Sequence, residues 1–189
     1  MNLKKSRIIA TILIFLLCFL FHFLYSLLPN SLFAIFFPVN ESIWEHMKML
    51  FSSIIFYGII DYIILTKFNI KHNNFFLSLF VSAISSIPIY LIVYLTIYYH
   101  IGEQMIVNIT LLFIVIIISQ VISYYILKSK QFKNLNIISV ILIIISYIIF
   151  GYLTYNPPKY ELFFDTQEEK YGINNYNMVS SQKHNFINF

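Results

Sequence analysis

Asn40, Glu41, Glu45 and His46 fall within one short stretch, Pro38-Val39-Asn40-Glu41-Ser42-Ile43-Trp44-Glu45-His46-Met47-Lys48. Carboxylates and an imidazole at this density could hold a divalent metal, because imidazole nitrogen and carboxylate oxygen are ligands that zinc and its neighbours accept. They could equally move protons, for which histidine is suited by an unperturbed pKa near ~6.5. The surrounding chain is 59% hydrophobic and only 11% charged. Placing a charge inside a bilayer costs roughly 2.5–3.5 kcal/mol on insertion scales, so a polar cluster in such a chain is a candidate functional site.

Two polar seams point toward this stretch. His22 follows Thr11 and Cys18 on a seam that runs on to Ser26, and it lies about 9 Å below Leu28 at a rise of ~1.5 Å per residue. From His46, the steps to Leu50, Ser53, Tyr57 and Asp61 keep to one helical face. Meeting at one membrane edge, the seams would join His22, Asn40, Glu41, Trp44, Glu45 and His46, with Asp165 folding back from the C-terminal tail. The expected metal ligands are His22, Glu45 and His46. Glu45 and His46 diverge by about 100° on a helix, and H-E-x-x-H does not occur, so the spacing alone specifies no metal or cofactor.

Simpler roles compete for the same residues. Ser42-Ile43-Trp44-Glu45 matches a capping box, in which Ser42 accepts from the backbone three residues on and Glu45 reaches back. Trp44 suits a membrane interface. Hydroxyls and small residues along the seams suit packing between helices. Asp61 is expected to meet water or a loop lysine, and Pro88 to kink its helix.

Runs of roughly 20 apolar residues match a hydrocarbon layer ~30 Å thick. Five such runs are present, at 8–28, 47–66, 75–98, 105–127 and 135–155, and they lack the alternation of strands. The fold class is therefore all-α: a bundle of five transmembrane helices over residues 1–155, with a tail at 156–189 that opens on Asn156-Pro157-Pro158 and is expected to be disordered from about Asn174. The first run is too long for a secretory signal and no small-residue cleavage site precedes Pro29, so it reads as an uncleaved anchor.

Basic residues set the orientation. Lys4, Lys5, Arg7, Lys67, Lys71, Lys128, Lys130 and Lys133 fall on one side, against Lys48, Lys159, Lys170 and Lys183 on the other. The positive-inside rule then puts the N-terminus in the cytoplasm and the C-terminus outside, with the polar cluster facing outward. Most acidic residues share that face, with Asp61 as the exception. A net charge of +4 and a pI near 9.0 are explained by the cytoplasmic loops, so nucleic acid is not an expected partner. Cys18 is the single cysteine, which excludes an intrachain disulfide and a thiolate cluster.

The Phe37 to Lys48 stretch, together with Pro157-Pro158, Leu162-Phe163, Asp165 and Tyr171-Gly172-Ile173, resembles a family of small multi-pass bacterial membrane proteins, typical of Firmicutes, of unknown function. The resemblance covers the whole chain. It implies that the polar stretch and the tail form one recurring unit, and it brings no activity or cofactor. The expected location is the plasma membrane, the expected partner the bilayer. With no nucleophile motif, phosphate loop or complete metal signature, a transport, channel or binding component is favoured, and lining a pathway with five helices invites homo-oligomerisation. A membrane-embedded, metal-dependent enzyme using the His/Glu cluster is the alternative.

Overall fold

The structure, a computed structural model, describes residues 1–102 and 104–173. Six helices follow one another: α1 (Leu3–Leu27), α2 (Ser31–Phe36), α3 (Ile43–Lys67), α4 (Phe75–Ile101), α5 (Met105–Lys128) and α6 (Lys133–Tyr155). All but α2 are long and apolar enough to cross a membrane. A 3₁₀ turn (Glu161–Phe163) and a small antiparallel hairpin, β1 (Phe164–Asp165) with β2 (Lys170–Tyr171), complete the described chain. Glu103 and the segment expected to be disordered from Asn174 lie outside the described residues.

The start of each N-terminal helix has a chemical cause. Asn2, Asn30 and Ser42 each accept a hydrogen bond from the backbone N–H three residues on, supplying a partner that the first turn lacks. Asn74, in the left-handed region at φ 54°, opens α4. Its amide ties the α5–α6 loop through Ser129 Oγ and the Lys130 carbonyl, both at 2.8 Å. Pro88 lies inside α4, which remains one helix.

The expected spans are found, with shifted ends. α1 begins at Leu3 and α3 at Ile43, so Lys4, Lys5, Arg7, Trp44, Glu45 and His46 are helical. The short α2 is an addition to the expected architecture: its run of six residues is far below spanning length, and it is capped by Asn30 and packed chiefly on α6.

Helices α1, α3, α4 and α5 form a closed ring of neighbours, while α6 packs outside it on α4 and α2. α3 is the central element, with 56% of its apolar window buried against 22–28% for the other spans. Small residues line the contacts, including Ala10 on α1, Ser78, Ser82, Ala83 and Ser86 on α4, and Ser119 and Ser123 on α5, as expected where close approach rather than water exclusion drives association. Isoleucines at 137, 141, 144, 148 and neighbouring positions of α6 stay exposed, as do Ile8, Ile12, Leu16 and Leu20 of α1. Such belts mark surfaces made for lipid.

Candidate functional site

The polar stretch is divided by the fold between two tasks. Glu45 turns inward and is fully enclosed. Its Oε2 lies 2.6 Å from Lys48 Nζ and accepts from Val39 N at 3.1 Å, while Oε1 accepts from Thr154 Oγ1 at 3.2 Å. Lys48 Nζ also donates to the Ala34 carbonyl at 2.7 Å and to Thr154 Oγ1 at 2.8 Å. A buried pair with its remaining donors and acceptors satisfied joins α2, α3, α6 and the loop before α3.

Expectation is corrected here on two points. Ser42 caps α3 at 3.4 Å from Glu45 N, yet Glu45 does not complete the box, because its carboxylate is committed to Lys48 and Val39. Ser42 N instead donates to Asn40 Oδ1 at 2.9 Å. Nor does Glu45 join the two imidazoles, since it points about 100° around α3 from His46 and is held by Lys48, Val39 and Thr154.

Glu41 takes that place. Its Oε2 lies 3.3 Å from His22 Nε2 and 3.4 Å from His46 Nε2, and one ligand atom from each of the three residues can be chosen so that all lie within 4.8 Å of one another. His46 Nδ1 is 3.0 Å from the Ser42 carbonyl. A carbonyl can only accept, so Nδ1 is the donor, and whenever the ring is neutral the lone pair is on Nε2, toward Glu41. Contact with His22 holds the Glu41 carboxyl below its ordinary range, against the opposing effect of burial, with the His46 charge acting in the same sense.

The three groups are spaced so that either a hydrogen bond from a protonated imidazole to Glu41 or a shared metal ion could join them. Charge-assisted N–H···O contacts run at about 2.7–2.9 Å, so both separations are long for a strong ion pair. A tetrahedral ion with ligands at about 2.1 Å has ligand-to-ligand edges of about 3.4 Å, which is what the two Nε2–Oε2 separations give. The Ser42 carbonyl behind His46 is the kind of outer partner that fixes a ligating imidazole's tautomer.

Asp165 supports Glu41 rather than pairing with His46. Its Oδ2 accepts from Glu41 N at 2.9 Å, and Oδ1 accepts from Gln167 N and Glu168 N at 2.8 and 3.1 Å, closing the hairpin turn. Both carboxylate oxygens of Asp165 are thus directed at backbone N–H groups of the loop before α3 and of the hairpin turn. Asn40 Nδ2 donates to the Gly172 carbonyl at 3.0 Å. Phe163 is buried and packs on Trp44, centroids 4.9 Å apart. Trp44 thus anchors the tail and stays out of the histidine cluster.

His22, Glu41 and His46 line a cavity of about 670 Å³. Cys18 and Phe19 of α1, Met49 of α3, Tyr90 and Tyr94 of α4, Asn108 and Leu112 of α5, and Gln167 of the hairpin also line it. Among the described residues, Glu41 is the only carboxylate in that lining. At the far end of the ring Asp61 pairs with Arg7, whose guanidinium also reaches Ser123 Oγ at 3.0 Å and Gln120 Oε1 at 3.5 Å. Arg7, and not water or a loop lysine, is therefore the partner of Asp61. Arg7 and Lys48 were both legible in sequence only as charges near membrane ends. Their removal from solvent follows from packing.

No curated protein and no solved structure matches the chain. A family model does match it, over residues 1–173, nearly all of its length. The chain belongs to that family, the Family of unknown function (DUF6512).

Proposed function

We propose that this membrane protein binds a divalent transition metal through His22 Nε2, Glu41 Oε2 and His46 Nε2, and works as a metal-dependent binding or transport component whose site faces the extracytoplasmic side. The observation that carries the reading is the convergence of the three groups, whose Nε2–Oε2 separations of 3.3 and 3.4 Å are close to two edges of a tetrahedral site. Two imidazoles and a carboxylate suit zinc, iron, nickel or copper rather than magnesium or calcium, which prefer all-oxygen shells. The outward placement rests on the excess of Lys and Arg at the opposite membrane edge.

Binding is preferred to hydrolysis because Glu45, the nearest additional carboxylate in sequence, is locked to Lys48 and Thr154 and is not in position to activate a water. One feature favours a second reading, a membrane-embedded metallohydrolase. Three protein ligands beside an open cavity resemble the arrangement of catalytic zinc sites. Purified protein would be loaded with Zn²⁺ or Co²⁺ and its metal content measured, alongside flux and ester-turnover assays in proteoliposomes. A stoichiometry near one that vanishes in Glu41→Gln supports the site; equal metal retention by wild type and this variant refutes it. Flux without turnover favours the first reading, turnover the second.

A further inference from the structure

The walls of the cavity identify what reaches its metal centre. Phe19 and Phe23 of α1 and Met105 of α5 line it, and they are 40%, 56% and 76% exposed. Phe19 and Phe23 continue the lipid-facing row of α1 that runs through Ile8, Ile12 and Leu16, while Met105 adjoins the equally exposed Ile106. α1 and α5 touch lower down, where the Phe15 and Phe113 rings lie 5.0 Å apart. At the level of His22 and Asn108 both helices line the cavity instead, together with α3 and α4. Part of its rim is therefore apolar and exposed on α1 and α5.

We propose that the cavity admits a membrane amphiphile sideways between α1 and α5, its tail against Phe19, Phe23, Ile109 and Leu112 and its anionic oxygen headgroup at the His22–Glu41–His46 centre. The inference rests on the metal reading above and names the ligand class for the same site. Its size falls within the roughly 300–1,000 Å³ of small-molecule sites. A divalent ion with one carboxylate and two neutral imidazoles keeps a net charge of about +1, which draws a phosphate or carboxylate to the open coordination position. No second carboxylate among the described lining residues opposes it. A free inorganic anion would use the ion but not the apolar walls, whereas an amphiphile uses both.

The test uses the full chain loaded with Co²⁺ in phosphatidylcholine nanodiscs, with the cobalt d–d bands as the readout. Dodecyl phosphate and inorganic phosphate are titrated separately. Dodecyl phosphate is expected to perturb the bands at least about a hundredfold more tightly, since burying about four methylenes already supplies that factor. Filling the cavity by Ile109→Trp should weaken dodecyl phosphate about tenfold or more while leaving Co²⁺ affinity unchanged. Leu112→Trp serves the same purpose if the first variant does not fold. Equal affinity for the two phosphates, or bound Co²⁺ whose bands respond to neither, overturns the amphiphile and leaves the metal site standing. Absence of any Co²⁺ band overturns the metal reading and this inference together.

Discussion

Lys48 Nζ sits 2.6 Å from Glu45 Oε2, one turn apart on α3, and neither side chain has more than 2% of its surface exposed. A pair of this kind is held by mutual dependence, because removing one member leaves the other charged, buried and unmatched. Lys48→Met is therefore expected to destabilise the protein by about 3–5 kcal/mol, while the double replacement with Glu45→Gln recovers part of the loss. Thermal unfolding in detergent measures both, and a Lys48→Met protein as stable as wild type would show that the pair does not hold the fold.

Glu41 and Glu45 should separate cleanly in metal binding. Glu41→Gln removes a ligand and should weaken Co²⁺ by more than the ~10–100-fold that follows loss of an outer partner. In Glu45→Gln, the folded fraction should bind Co²⁺ as wild type does. Isothermal titration on both variants distinguishes them, and the reverse ranking would return the site to the ligand set expected from sequence.

Metal affinity should fall as pH drops. Both imidazoles must be neutral to bind, so protons compete with the metal for their ring nitrogens. Glu41 is held below the ordinary carboxylate range by His22, so it gives up its charge only in stronger acid. Co²⁺ titrations at about pH 7.5 and about pH 5.5 should show weaker binding at the lower value. Unchanged affinity would exclude histidine ligation.

Gly172 fastens the tail. It has φ +59°, and a Cβ there would lie 2.5 Å from the Thr154 carbonyl oxygen and 2.8 Å from Pro157 Cγ. Backbone at that position cannot yield as a flexible side chain can. Gly172→Ala should cost about 1–3 kcal/mol of tail docking and loosen Asn40, which donates to the Gly172 carbonyl. Faster amide exchange at Asp165–Tyr171, with the helices unaffected, is the expected signature. Unchanged exchange there would show that the tail docks without this contact.

Orientation is accessible to labelling in a background where buried Cys18 is replaced by alanine. A cysteine at exposed Tyr160 should react with an impermeant maleimide on intact cells, and one at exposed Gln131 should not. The opposite pattern would invert the membrane assignment and move the histidine cluster to the cytoplasmic side.

The sequence by itself determined the membrane helices, because a run of apolar residues long enough to cross hydrocarbon has few other stable forms once every backbone group must find a partner. It also located the polar stretch and the Ser42 cap, which depend on neighbours a few residues away. The choice between Glu41 and Glu45 belonged to the tertiary structure. Both are carboxylates within five residues of His46, and what separates them is contact with Lys48 and Thr154 for Glu45 and with His22 for Glu41. Thr154 lies 106 residues from Lys48, and Asp165 lies 124 from the backbone N–H that it holds. Such contacts have no local periodicity to announce them. They exist because a buried charge must be matched wherever the fold can bring a partner, and only packing decides which partner arrives.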